Sequence, residues 1–152
     1  SIHSPSTMEA GVATDGERPL SSQGRLAVAT MARGLKASGA KVSLILHSPL
    51  KRAEQTAKEA SAVLRPAMVP QLFRPLENVL SSEALAVELA GPFSKAAEVL
   101  AIGHHPQLGE FACWLSGKLF DLRPGGLIAM EVDGLAARKA IVLFSRNPGA
   151  PQ

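Results

Sequence analysis

Two short, mostly apolar runs, Val42–Leu46 and Glu98–Ile102, each end on a histidine-bearing segment, and each is followed by a proline that opens a helical pattern. Runs of that length, rich in Val, Leu and Ile, fit strands buried on both faces. A strand that feeds a helix, repeated along the chain, leads to a mostly parallel sheet covered by helices on both faces, a three-layer α/β sandwich. Sites in that architecture gather at the carboxyl ends of strands. The segments to inspect are therefore His47-Ser48-Pro49-Leu50-Lys51-Arg52 and Gly103-His104-His105-Pro106.

The remaining elements follow from periodicity. Val28, Met31, Ala32 and Leu35 recur at helical spacing after Ser21 or Ser22, either a good N-cap, so a helix is expected to about Lys36. Pro49 is expected at the first helical position behind Ser48 as N-cap, with Ala53, Ala57, Ala60 and Leu64 forming a small-residue face. Met68–Phe73 reads as a strand, Ser82–Ala90 as a helix, and Leu108, Phe111, Ala112 and Leu115 as the apolar face of a helix opened by Pro106 and ending near Gly117. Gly126–Glu131 and Lys139–Phe144 read as two strands around an Asp133-Gly134 turn. Residues 1–20, rich in Ser, Gly, Pro and Thr, show no sustained periodicity and read as a long surface loop.

With 152 residues, 46% of them hydrophobic, and no internal repeat, one domain over 1–152 is expected. The single cysteine, Cys113, excludes an internal disulfide, and a reducing cytoplasm is the default location. Nothing approaches the roughly 18–20 apolar residues of a membrane span, and the opening residues have no signal-peptide pattern, so no membrane partner is expected. An aromatic content of 4% gives no stacking ladder for nucleic acid, whereas a net charge of +3 suits small anions.

Arg52, in the first turn of a helix that follows a strand, could share one anion with the N–H groups of that helix start. Against the positive end of a helix dipole it adds no helix stability, which makes more sense with an anion present; the alternative is a solvated surface arginine. His104 leaves a strand beside another helix start, where a protonated imidazole could donate to phosphoryl oxygens; the alternative is a loop or capping histidine. Ser48 is an N-cap before it is a nucleophile, since no G-x-S-x-G elbow surrounds it. The histidines His3, His47, His104 and His105 have no HExxH or CxxC companions, so neither metal nor cofactor is expected.

The string Ser48-Pro49-Leu50-Lys51-Arg52-Ala53-Glu54-Gln55-Thr56 closely resembles the SP-x-x-RA-x-QT signature of the histidine phosphatase superfamily. Asp15 through Gly24 resembles the D-x-x-RPLT-x-x-G segment of its SixA-like branch, and Ile102-Gly103-His104-His105-Pro106 resembles the later (V/I)-GH-x-P motif. The resemblance implies a phosphoglycerate-mutase-like fold and a metal-independent phosphatase. In it Arg52 and His104 contact the phosphoryl group, Ser48 lies in the substrate pocket, and Arg18 anchors a loop. The substrate it implies is a phosphorylated protein bearing phosphohistidine, with small phosphorylated molecules as the alternative.

In this family the nucleophile is a histidine of an Arg-His-Gly-like motif at the end of the first strand. Two alignments remain open. In one, His3-Ser4 takes the His-Gly positions; in the other, the motif precedes Ser1. Both imply that the first strand is missing from the chain and that the domain is N-terminally incomplete. Glu77 is the candidate for the acid that protonates the leaving group. A phosphate-binding relative without a nucleophile is the reading from another functional class.

Overall fold

The computed structural model describes residues 4–10, 21–104, 106–120, 126–132, 135, 138 and 140–146. Its strands are β1 (Ser4–Ala10), β2 (Leu44–His47), β3 (Gln71–Leu72), β4 (Val99–Ile102), β5 (Gly126–Val132) and β6 (Ala140–Arg146). Its helices are α1 (Ser22–Ala37), α2 (Lys51–Leu64), α3 (Ser82–Lys95) and α4 (Gln107–Ser116), with a 3₁₀ turn at Arg74–Leu76.

The six strands form one sheet in the order β3-β2-β4-β1-β5-β6. The first four run parallel; β5 and β6 are antiparallel additions, and they pair with each other as the sequence pattern implied. Asp133 and Gly134 lie outside the described residues.

Alternation along the central strands divides the core in two. Leu44, Leu46, Val99 and Ala101 pack on one face with Leu85 and Leu89 of α3 and Leu108, Phe111 and Leu115 of α4. Ile45, Leu100 and Ile102 pack on the other with Val28, Ala32 and Leu35 of α1 and Ala53, Ala57 and Ala60 of α2. This is the expected three-layer sandwich. The alanine face of α2 carries little bulk, which lets that helix lie close to the sheet.

Caps follow local chemistry. Ser21 and Ser81 close the starts of α1 and α3 by accepting the N–H groups of Gly24 and Ala84. Gly117, at a φ of 75°, ends α4 in the left-handed conformation that a glycine adopts without strain.

Three expectations are corrected. Residues 4–10, read as loop, form β1 in the middle of the sheet, so a strand does occupy the position that was expected to be missing. Ser-Pro-Ser-Thr has poor strand propensity, and Pro5 cannot donate to a ladder. Pairing on both sides, to β4 and β5, overrides that preference. The run Met68–Phe73 shrinks to two strand residues, because Pro70 interrupts a ladder that Met68 N–H to Ser43 O and Phe73 N–H to His47 O bracket. Finally, α3 continues past Ala90 through Gly91-Pro92 to Lys95. One missing N–H there is tolerated while Phe93 packs against the core.

Candidate active site

The ladder continues beyond the strand ends. Ser48 N–H donates to Ile102 O at 3.1 Å and Phe73 N–H to His47 O at 2.7 Å, which aligns residues 48, 73 and 103 at one edge of the sheet. Both segments singled out in the sequence therefore meet at the carboxyl ends of β2 and β4.

Ser48 and His104 are in direct contact: Ser48 Oγ and His104 Nε2 are 2.5 Å apart. Both are buried, Ser48 fully and His104 to 3% exposure. A short hydrogen bond between two buried groups fixes the imidazole; Nε2–H donates to Oγ or Oγ–H donates to Nε2 according to the ring's tautomer. Ser48 is not the N-cap of α2, as its sequence position implied. The helix starts two residues later than Pro49, at Lys51, and Ser48 Oγ accepts the N–H of Leu50 at 3.3 Å. The serine therefore tethers the approach to α2 to the histidine of β4.

No side chain caps the first turn of α2, and Arg52 is its second residue. Arg52 is half-buried and its Nε is shielded from solvent. A guanidinium and an uncapped helix start on one turn provide donors of the kind that hold a phosphoryl oxygen. One turn further, Thr56 is fully buried and its Oγ1 has no hydrogen-bond partner among the described residues.

The start of α4 is different. Gln107 N–H donates to Asn78 Oδ1 at 2.9 Å and Leu108 N–H to His104 O at 3.1 Å. Asn78, from the loop after β3, thus caps α4 from another element, whereas no side chain caps the start of α2. No local sequence signal links Asn78 to Gln107. They lie far apart in the chain, and only the crossing of β3 toward β4 brings them together.

His47, also missed as a site residue, is 7% exposed and bonds Ser48 O through Nδ1 at 2.9 Å. A carbonyl can only accept, so this bond places the hydrogen on Nδ1.

Glu77 ends the 3₁₀ turn and pairs with the exposed Arg74 at 3.2 Å. Its neighbour Leu76 presses its carbonyl oxygen against Gly103, 3.3 Å from where a Cβ would stand. The loop carrying Glu77 therefore reaches across the end of β2 to the base of His104. Cys113 is partly buried.

Arg18, His3 and His105 lie outside the described residues. Ser4, bonded to His3, begins β1, and Ala10 ends it at the site side of the sheet; β1 itself contains neither arginine nor histidine. Among the described residues no group of three or more His, Cys, Asp or Glu could hold a metal ion. No helix among them is long and apolar enough to cross a membrane.

The sequence profile of the histidine phosphatase superfamily, branch 1, matches residues 7–77. An uncharacterized protein of Picosynechococcus sp. is 34% identical over 138 residues, spanning 85% of this chain and 81% of its own. The chain belongs to the histidine phosphatase superfamily. Its fold is that of the SixA-type members. The protein histidine phosphatase SixA, solved with tungstate, superposes with a TM-score of 0.80 at 22% identity, over 93% of this chain and 95% of its own. A SixA-type protein from Nakamurella multipartitia gives 0.81 at 18% identity over 99% of both chains. Membership of the family supports a phosphatase function for the chain, and the Ser48–His104 contact joins two of the segments by which the sequence resembles it.

Proposed function

We propose that this chain is a metal-independent phosphatase in the cytoplasm, acting on phosphohistidine carried by a protein. The observation that carries the proposal is the hydrogen bond between Ser48 and His104, which joins the segment leading into the Arg52 helix to the strand end that carries His104. Arg52 holds two phosphoryl oxygens through its planar donor fork, and protonated His104 donates to a third as charge develops. A histidine nitrogen attacks phosphorus, the bond from phosphorus to the leaving group breaks, and water then releases inorganic phosphate from the phosphoenzyme. An imidazole leaving group can carry its own proton, so a phosphohistidine substrate makes little demand on Glu77; an alkyl or aryl ester needs that acid.

A second reading is favoured by one observation. β1, at the position of the first strand, reads Ser-Pro-Ser-Thr-Met-Glu-Ala and supplies no histidine. In that reading Arg52 and His104 hold a phosphoryl group without transferring it.

One experiment separates the two. A phosphohistidine peptide is incubated with the protein in EDTA, and tungstate or phosphate binding is measured by calorimetry on the same sample. Turnover that falls about 100-fold or more in His104→Ala and about 10- to 100-fold in Arg52→Ala supports the phosphatase. Oxyanion binding that needs Arg52, with no turnover and no trapped phosphoenzyme, supports the binding relative. Failure to bind any oxyanion would sink both.

A further inference from the structure

Gln107 is a buried, multiply hydrogen-bonded side chain at the carboxyl end of the sheet. It is 3% exposed, accepts Asn78 N–H through Oε1 at 3.1 Å, and donates from Nε2 to Pro75 O at 3.0 Å and Leu80 O at 3.4 Å. Asn78 returns the contact by accepting Gln107 N–H on Oδ1 at 2.9 Å. Two amides thus bind each other reciprocally and grip both ends of the loop that follows β3.

Three features make this pair more than loop packing. Asn78 has a φ of 79°, a left-handed backbone that asparagine tolerates better than most residues. Its side chain and backbone N–H are thereby presented together to the first turn of α4. Gln107 lies three residues beyond His104, so the loop is fastened to the element that carries a phosphoryl contact. Glu77 stands between two anchors: Leu76, whose carbonyl meets Gly103, and Asn78, which meets Gln107. Its side-chain partner Arg74 is a surface residue and holds the carboxylate weakly.

We propose that Asn78 and Gln107 are positioning residues that hold Glu77 at the leaving-group side of the phosphoryl pocket, so that esters whose leaving group needs a proton are hydrolysed only when this amide pair is intact. The inference rests on the phosphatase reading above. Neither residue touches the substrate. They fix the backbone on both sides of Glu77 while its side chain remains free to leave Arg74 for the leaving-group oxygen.

The test is a double-mutant cycle on the full chain with two substrates. Phenyl phosphate needs its departing oxygen protonated; p-nitrophenyl phosphate does not. Asn78→Gly keeps the positive φ without strain and removes the side-chain cap on Gln107 N–H. It is expected to lower kcat on phenyl phosphate about 10- to 100-fold, with KM and the kcat on p-nitrophenyl phosphate changed less than about threefold. In a Glu77→Gln background the same substitution should cost nothing further, because the group being positioned is gone. Gln107→Leu, similar in size and equally buriable, should repeat the pattern.

Equal losses on both substrates, or a further loss in the Glu77→Gln background, would show a purely structural pair and overturn the proposal. So would full activity of Glu77→Gln on phenyl phosphate, which leaves the phosphatase reading intact. If the unmodified protein hydrolyses neither ester nor a phosphohistidine peptide, the phosphatase reading falls, and the positioning role with it.

Discussion

Adding one methyl group at Gly103 tests how tightly the β4–α4 junction is built. A Cβ at this position would stand 3.2 Å from Leu108 Cδ1, 3.3 Å from Leu108 Cγ and 3.3 Å from the carbonyl oxygen of Leu76. Ordinary contact starts a few tenths of an ångström further out, so something has to give. Leu108 and Leu76 are 1% and 0% exposed, and the Leu76 oxygen is backbone, so neither neighbour can rotate into solvent. Overpacking of this kind costs about 1–3 kcal/mol. Against it, alanine narrows the unfolded ensemble relative to glycine by about 0.4–1 kcal/mol. The net expectation for Gly103→Ala is a loss of about 1 kcal/mol, a fall in Tm of roughly 2–4 °C for a chain of this size. Thermal unfolding followed by circular dichroism reads the shift. Trimming Leu108 in the same chain separates the causes: Leu108→Ala alone costs about 2–5 kcal/mol, and the double variant should cost less than the sum because the cavity admits the new methyl. A Gly103→Ala protein as stable as the original, or strict additivity with Leu108→Ala, would refute the steric argument.

Two further expectations concern the same end of the sheet. Ser48→Ala removes the partner of both His104 Nε2 and Leu50 N–H in a buried site, so it should cost about 1–3 kcal/mol, read as a lower urea midpoint with an unchanged slope. Thr56→Val replaces a buried hydroxyl that has no partner among the described residues by a methyl of similar shape, and should leave stability unchanged or raise it by up to about 1–2 kcal/mol; a loss above about 1 kcal/mol would mean that the hydroxyl is bonded after all.

The parts of this fold that were legible in the sequence share one property: their pattern and their burial have the same cause. Val42–Leu46 and Glu98–Ile102 are apolar because both faces of the sheet are covered, and Leu108, Phe111, Ala112 and Leu115 repeat because one stripe of α4 meets the core. Where structure is imposed from a distance, the sequence is silent. Ser4–Ala10 becomes a strand through pairing with residues near 99 and 130, against the preferences of its own proline and serines. The site divides in the same way. The segments of Arg52 and His104 could be singled out because each lies between a strand end and a helix start, and Ser48 was placed in the segment that meets His104 but given the wrong partner. Asn78 and Gln107 carry no mark at all, since an amide at an exposed-looking loop position and another at a helix start become a pair only after β3 and β4 have been laid beside β2.

The central position of β1 has a consequence for how the protein is made. β1 precedes β4 and β5 in the chain yet lies between them, and Ser4 pairs with Val132. At about 5–20 residues per second on the ribosome, roughly 6–26 s separate the emergence of the two. During that interval β1 has β4 on one side and an open edge on the other, a template for any extended chain nearby. Because the pairing that closes this edge joins residues as far apart as Ser4 and Val132, closure is expected to be the slow step of folding, and the nascent chain to depend on chaperones until it has occurred.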